Sequence, residues 1–333
     1  MTTLSGAVTL PELDPLAAAL ALQASLGTGA DAAVSDFATR LIDPVTVTDS
    51  VLLSSTIPET DYPAWSAAAT YAIGDLVMRT TTHRVYVALV AGIDSGTPET
   101  TPARWKRVGS TNRWRMFDES VGSRSSASGS LTVRLQPGYA DALALLEMQA
   151  STAVVLVSDS TGRVKYARVA DLTGLQVVDW WQYFTAEATP KTSLLLTGLP
   201  ISSGDVVDVS LYGSTVELGV LSIGTETKLG LPQYGLGLGI ADYSRKETDE
   251  FGETSIVERA FAKRCTLRVA IERDATEKVF TKLAKLRAKN VVWIPSPASG
   301  YEVLSVYGFW KDVRVDVPYP TMNYCSIEIE GLI

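Results

Sequence analysis

The sequence predicts a mainly β, multi-domain protein, and three observations carry that expectation. Short apolar or alternating runs separated by turn residues fill the middle of the chain: LTVRLQP, ALALLEMQ, TAVVLVSDS, GRVKYARV, VVDWWQYF, TSLLLTGLP and DVVDVSLYG. Hydrophobic residues make up 46% and charged residues only 20%, which suits apolar cores under Ser/Thr-covered surfaces. A length of 333 residues exceeds what one ordinary core organises, so several domains are expected.

Residues 1–57 read as a helical segment and a strand. PELDPLAAALALQASLG is Ala/Leu-rich, with Pro11 and Pro15 near its start and Gly27 at its end. AAVSDFATRLI reads as a shorter helix stopped by Pro44, and VTVTDSVLLSST then alternates like a strand. Residues 58–110 change texture. Trp65, Tyr71, Tyr86 and Trp105 are spread through a small β-module, with turns at Gly74-Asp75 and TTTH. Residues 111–228 hold the strand runs and predict a β-sandwich, in which SVGSRSSASGS (120–130) reads as an exposed loop.

The Gly-rich GLPQYGLGLGI marks the next boundary. Residues 229–333 predict an α+β or β-sandwich domain with one covering helix. SIVERAFAKRCTLRVAIER reads as a strand pair or one bent strand. DATEKVFTKLAKLRAKN is an amphipathic helix, with Val279, Phe280, Leu283 and Leu286 at helical spacing and Asn290 as its C′ residue. VVWIPS, VLSVYGFWKDVRVDV and NYCSIEIEGLI are strands.

Charge and motif content narrow the function. With 29 basic against 37 acidic residues and no basic stripe, nucleic acid is not an expected partner. No run approaches the roughly 18 apolar residues of a membrane span, so no membrane insertion is expected. MTTLSGAVTL lacks the layout of a secretory signal, which points to synthesis in a cytoplasm. Cys265 and Cys325 sit in apolar runs and read as reduced, buried side chains. His83 is the single histidine, so no zinc or other metal site and no cofactor is expected. It sits in the turn TTTHR and reads as an exposed residue rather than a general base. No G-x-S-x-G, P-loop or H-E-x-x-H motif occurs, and the chain reads as a non-enzyme. Paired carboxylates for glycoside hydrolysis remain open; Asp242, Glu247, Asp249 and Glu250 look like a solvated loop.

Two resemblances sharpen this. A-W-S-x(4)-Y-x-x-G-D-x-V (Trp65, Tyr71, Gly74, Asp75, Val77), then V-Y-V-A (Tyr86, Ala88), Pro98 and Trp105, resembles the small chitin-binding modules appended to bacterial chitinases. That resemblance implies a carbohydrate-binding set of Trp65, Tyr71, Tyr86 and Trp105, whose flat faces would pack on sugar C–H faces. In so small a module the same rings also read as its core.

Further on, the N-R-W-x-M-F-D run (Asn112, Trp114, Phe117, Asp118), VVDWWQYFTAEATPKTSLLLTGLP, LGVLSIGT and the C-terminal stretch from DYSRKETDE to EIEGLI look like a structural protein of tailed bacteriophages. The middle portion resembles discoidin-like, galactose-binding jelly rolls, and the C-terminus resembles proteins at the distal end of tail tubes. The implied protein is a virion component of a tail tip or baseplate. It would be a symmetric oligomer bound to tube and hub proteins and facing a host-surface glycan. Trp114 and Phe117 read as core. If 180–181 is a strand, one ring faces outward, which makes Trp181 an assembly-interface candidate, and Trp310 in YGFWKD is another. The alternatives are a polysaccharide-degrading enzyme with an appended module, and an architectural virion protein whose module binds no sugar.

Overall fold

The computed structural model describes residues 17, 20, 21, 23, 24, 37–94, 96–120, 122–174, 179–185, 189–248, 254–259, 261–297 and 301–332. The helices expected over 11–41 otherwise lie outside the described residues. The chain is mainly β. Strands β1 (Thr39–Pro44) and β2 (Leu52–Ser55) lead into a small module of β3 (Thr70–Tyr71), β4 (Leu76–Arg79), β5 (Arg84–Ala88), β6 (Gly92–Ile93) and β7 (Trp105–Ser110). Next come β8 (Ser125–Leu135), β9 (Ala140–Gln149), β10 (Thr152–Ser158), β11 (Val164–Asp171), the short helix α1 (Trp180–Thr185), β12 (Ser193–Ile201) and β13 (Val206–Pro232). The rest is β14 (Gly237–Asp242), β15 (Arg245–Thr248), β16 (Thr254–Val257), β17 (Phe261–Glu272), helix α2 (Thr276–Lys285), β18 (Val291–Ile294), β19 (Val306–Asp316) and β20 (Met322–Gly331).

β13 organises the molecule. Over its 27 residues it changes partners along its length. Its first part pairs with β10 on one edge and β8 on the other, while β11 and β2 extend these pairings outward. Past an irregularity between Tyr212 and Thr215 it pairs with β9, which carries β12. The result is a β-sandwich whose layers share a bent strand. Alternation fills its core. Leu131, Val133 and Leu135 of β8 and Val207, Val209 and Leu211 of β13 are fully buried.

The last third of β13 enters a second unit. From Gly224 to Gly230 it pairs with β1, and Leu231 and Pro232 pair with β17. The pairings β13–β1–β18–β19–β20–β17 then return to β13, so these strands form a closed circuit. Closure removes the edges an open sheet would expose. Leu41, Leu267, Trp293 and Ile327 fill its interior, and Trp293 Nε1 donates to the Gly308 carbonyl at 3.1 Å. Cys265 and Cys325 are free and face the same interior, where burial pushes each thiol up to about 11. α2 covers the unit through Val279 and Leu283, and Lys282 Nζ reaches Asp43 on β1 at 2.7 Å.

Between sandwich and barrel lies a third apolar cluster: Ile42, Ala142, Ala144, Leu146, Val220, Val292 and Ile294. Neighbouring residues divide between the cores. Leu41 and Trp293 point into the barrel, whereas Ile42 and Val292 point into the seam. Arg40 and Glu226 form a buried ion pair at 2.9 Å, and Arg40 Nη1 also donates to Thr197 Oγ1 on β12 at 3.1 Å. The additional hydrogen bond matters, because a buried pair needs its remaining donors satisfied to offset desolvation.

Several sequence expectations are corrected. Residues 39–42, the end of the run expected to be helical, lie in strand β1, since pairing on both edges and burial on both faces outweigh a weak helical preference. Most of the Ser/Gly run expected as a loop is the start of β8; Ser125 is buried because its hydroxyl donates to the Asn112 carbonyl at 2.6 Å and accepts from Met116 N at 3.0 Å. Phe280 is 54% exposed rather than core, because the apolar stripe of α2 narrows to Val279, Leu283 and Leu286. The left-handed residue after α2 is Ala288 (φ 59°), and Asn290 instead donates to Glu119 Oε2 at 3.0 Å. β13 runs unbroken through residue 228, where the composition suggested a boundary.

Gly224 sits where β13 changes hands, opposite Ala142 of β9 and Pro44 of β1. A Cβ there would lie 2.0 Å from the Asp43 carbonyl oxygen, so only glycine allows the backbones this close. Gly224→Ala is expected to destabilise the protein by about 1–3 kcal/mol, the usual range for overpacking, measured by urea unfolding.

Candidate functional site

The small module is built on the three-stranded sheet β4–β5–β7 and the pair β3–β6. Gly74 (φ 93°) makes the turn before β4 possible, and Asp75 Oδ2 closes it by accepting from Ala72 N at 2.7 Å. Three of the four aromatic candidates form the module's core: Tyr71, Tyr86 and Trp105 are 9%, 4% and 3% exposed. Tyr71 and Trp105 meet edge to face at 5.0 Å. Their polar tips are bound internally. Tyr71 Oη donates to the Ser66 carbonyl, and Trp105 Nε1 donates to Asp94 Oδ2 at 3.0 Å. Rings enclosed in this way have no face for a sugar. Trp65 is half-buried, and the Arg79 guanidinium lies 4.9 Å from its ring centre.

Asp94 anchors the core from below. It accepts hydrogen bonds from Gly96 N (2.9 Å), Thr101 Oγ1 (2.9 Å) and Trp105 Nε1 (3.0 Å). The Gly96 amide first, then Thr101, Trp105 and the Arg104 charge, hold its carboxyl below the usual value against desolvation. Surface apolar groups on the module are aliphatic: Ile73 (71% exposed), Leu89, Val90 and Ile93. Register brings them to one end, since Thr70 pairs with Ile93 and Gly74 N donates to the Ala88 carbonyl. A search for aromatic residues passes over them. The available signal was apolar residues placed beside turns.

The joint between module and sandwich depends on the residue expected to be an exposed turn histidine. His83 (φ 55°) is largely covered. Its Nδ1 lies 3.0 Å from Glu59 Oε1, its Nε2 lies 3.0 Å from Asp49 Oδ1, and its ring stacks on Trp114 at 4.1 Å and 19°. Trp114 and, partly buried beside it, Phe117 belong to the sandwich core. Thr111 N donates to the His83 carbonyl, and Thr111 Oγ1 donates to Glu59 Oε1. The module is therefore keyed to the sandwich by side chains from both sides.

The assembly candidates separate. Trp310 Nε1 donates to the Leu283 carbonyl at 3.1 Å and packs under α2, so its ring serves the barrel. Trp181 is 76% exposed and Trp180 80%; the segment is a helix, so the strand argument that placed one ring inside does not apply. Asp242 caps its own turn through Ser244, Glu247 pairs with Arg245 at 3.3 Å on exposed β15, and Asp249 and Glu250 lie outside the described residues. Among the described residues no group of three His, Cys, Asp or Glu is placed to hold a metal ion, and no helix is long and apolar enough to cross a membrane.

No protein-family model matches this chain, and no curated protein matches it. Its own geometry thus carries the functional reading.

Two outcomes follow. Because the folded-state Asp94 carboxyl is lowered, its stabilising effect is complete above the ordinary aspartate range and fades as pH falls through the lowered value. Acid titration followed by the Trp105 indole N–H signal is expected to show the module core loosening below about pH 4, and Asp94→Asn should weaken the core at neutral pH and flatten that acid step. His83→Ala removes the stack and both carboxylate contacts. It is expected to cost the joint about 1–3 kcal/mol, read as lost hydrogen-exchange protection at Thr111 while Val77 and Tyr86 keep theirs.

Proposed function

We propose that the protein is a structural component of a bacteriophage tail tip or baseplate, assembling on the distal tail with tube and hub proteins as a symmetric oligomer. The observation that best supports a scaffold is the single strand β13 threading a sandwich and a closed barrel over an apolar seam. Such an arrangement holds separate surfaces at fixed positions, as assembly requires. The resemblance of residues 112–118 and of the C-terminal stretch to tailed-phage proteins supplies the particular assembly. Repeated weak contacts around a symmetric tip would add by avidity toward a host surface.

Within this reading the module is a spacer or contact element. Burial of Tyr71, Tyr86 and Trp105 favours that over sugar stacking, and Trp65 alone among the four retains surface.

Quantitative mass spectrometry of purified virions is the test. The protein should be present at a copy number equal to, or a multiple of, the tail's rotational order. Its absence from intact particles would refute the assignment. On the isolated protein, Trp65→Ala is expected to leave retention on chitin oligomers unchanged.

A further inference from the structure

Exposed apolar side chains concentrate on one part of the barrel. β20 pairs with β17 only from Arg264 onward, so Phe261, Ala262 and Lys263 have β14 as their sole strand partner among the described residues. Past them β15 and β16 pair only with each other, which makes a two-stranded arm beyond the end of β20. Directly opposed residues share a face, so the pairs Leu238–Cys265, Ile240–Lys263 and Asp242–Phe261 continue the face that Cys265 turns to the barrel interior. On that face Phe261 is 53% exposed and Ile240 70%, and Ile256 of β16 is 75% exposed. Two strands are marginal unless an apolar face is covered. The outer edge of β14, GLGIAD, carries neither Lys nor Pro to guard it.

A surface able to receive the arm lies at the other end of the same strand. Arg273 directly follows β17, and with Val317, Tyr319, Pro320 and Asn323 it lines a cleft of about 350 Å³. That volume is near the lower end for binding sites and suits one large side chain rather than a chain segment. Val317 and Tyr319 are exposed, and the exposed Arg273 has no ion-pair partner among the described residues. Phe261 and Arg273 are separated by the length of β17, on the order of 35 Å. A chain therefore cannot seat its own arm in its own cleft. Charge completes the match. Asp242 lies opposite Phe261 on the arm, so a copy that seats Phe261 against Val317 and Tyr319 brings a carboxylate to Arg273.

We propose that the arm of one copy docks in the barrel-end cleft of the next, with Phe261 filling the cleft and Asp242 pairing with Arg273. Donor and receiver are different surfaces, so the contact is heterologous and repeats from copy to copy, closing into a ring when the rotation fits. It names the contact behind the symmetric oligomer of the tail-tip reading, on which it rests. It is tested on the purified chain without virions, so the failure of one is distinguishable from the failure of the other.

Sedimentation velocity over a concentration series is the test. The wild-type chain should self-associate. Phe261→Ala, Asp242→Arg and Arg273→Asp should each weaken association by about tenfold or more, with melting curves confirming that each variant is folded. Ile73→Ser, on the exposed tip of the module, should leave association unchanged. Mixing gives the sharpest readout. Asp242→Arg copies and Arg273→Asp copies each oppose like charges among themselves, but each supplies the partner the other lacks, so an equimolar mixture should recover association. A merely misfolded variant would not be rescued in this way. A wild type that stays monomeric at every concentration would overturn the inference. So would association that Phe261→Ala and Arg273→Asp leave unchanged, or a mixture that associates no better than its components.

Discussion

The pairing of β13 with partners from two cores is the constraint on which the rest depends. A strand of 27 residues cannot end where the sandwich ends, so the barrel begins on the same backbone. Period-two alternation then assigns each neighbouring strand to two cores at once. Leu41 enters the barrel while Ile42 enters the seam, and Leu143 enters the sandwich while Ala142 and Ala144 face the seam. A one-residue slip would exchange these assignments and place the Arg40–Glu226 pair against the wrong surface. Small residues at the seam allow close approach, which explains why β9 alternates Ala and Leu.

Much of the fold was legible in the sequence, and the failures share a cause. Strands with apolar runs bounded by turns, and α2 with its charged outer face, announce themselves locally. Residues 39–44 and 125–130 did not. TRLIDP becomes a strand only because β13 and β18 flank it, and SSASGS only because β13 offers a partner and Asn112 accepts from Ser125. Those are non-local pairings, invisible to a window along the chain. VVDWWQYF failed in the opposite sense, with an apolar run that looked like a strand ending in a short helix.

The candidate site was legible in composition but not in orientation. Trp65, Tyr71, Tyr86 and Trp105 gather in one small cluster, because a module this small needs most of its aromatics for its own core. Chemically available groups on the module lie elsewhere, in aliphatic residues beside turns. His83 shows the same limit. Its turn was predicted, but Asp49, Glu59 and Trp114, which give it a role, come from three separate segments.

If β13 unites sandwich and barrel, the two cannot unfold independently. Native-state hydrogen exchange along β13 against increasing denaturant tests this most directly. The account predicts that amides of Val209 in the sandwich and Glu226 in the barrel converge on one opening free energy and one denaturant dependence. Two distinct opening energies, with 225–232 exchanging while 206–212 stays protected, would contradict it.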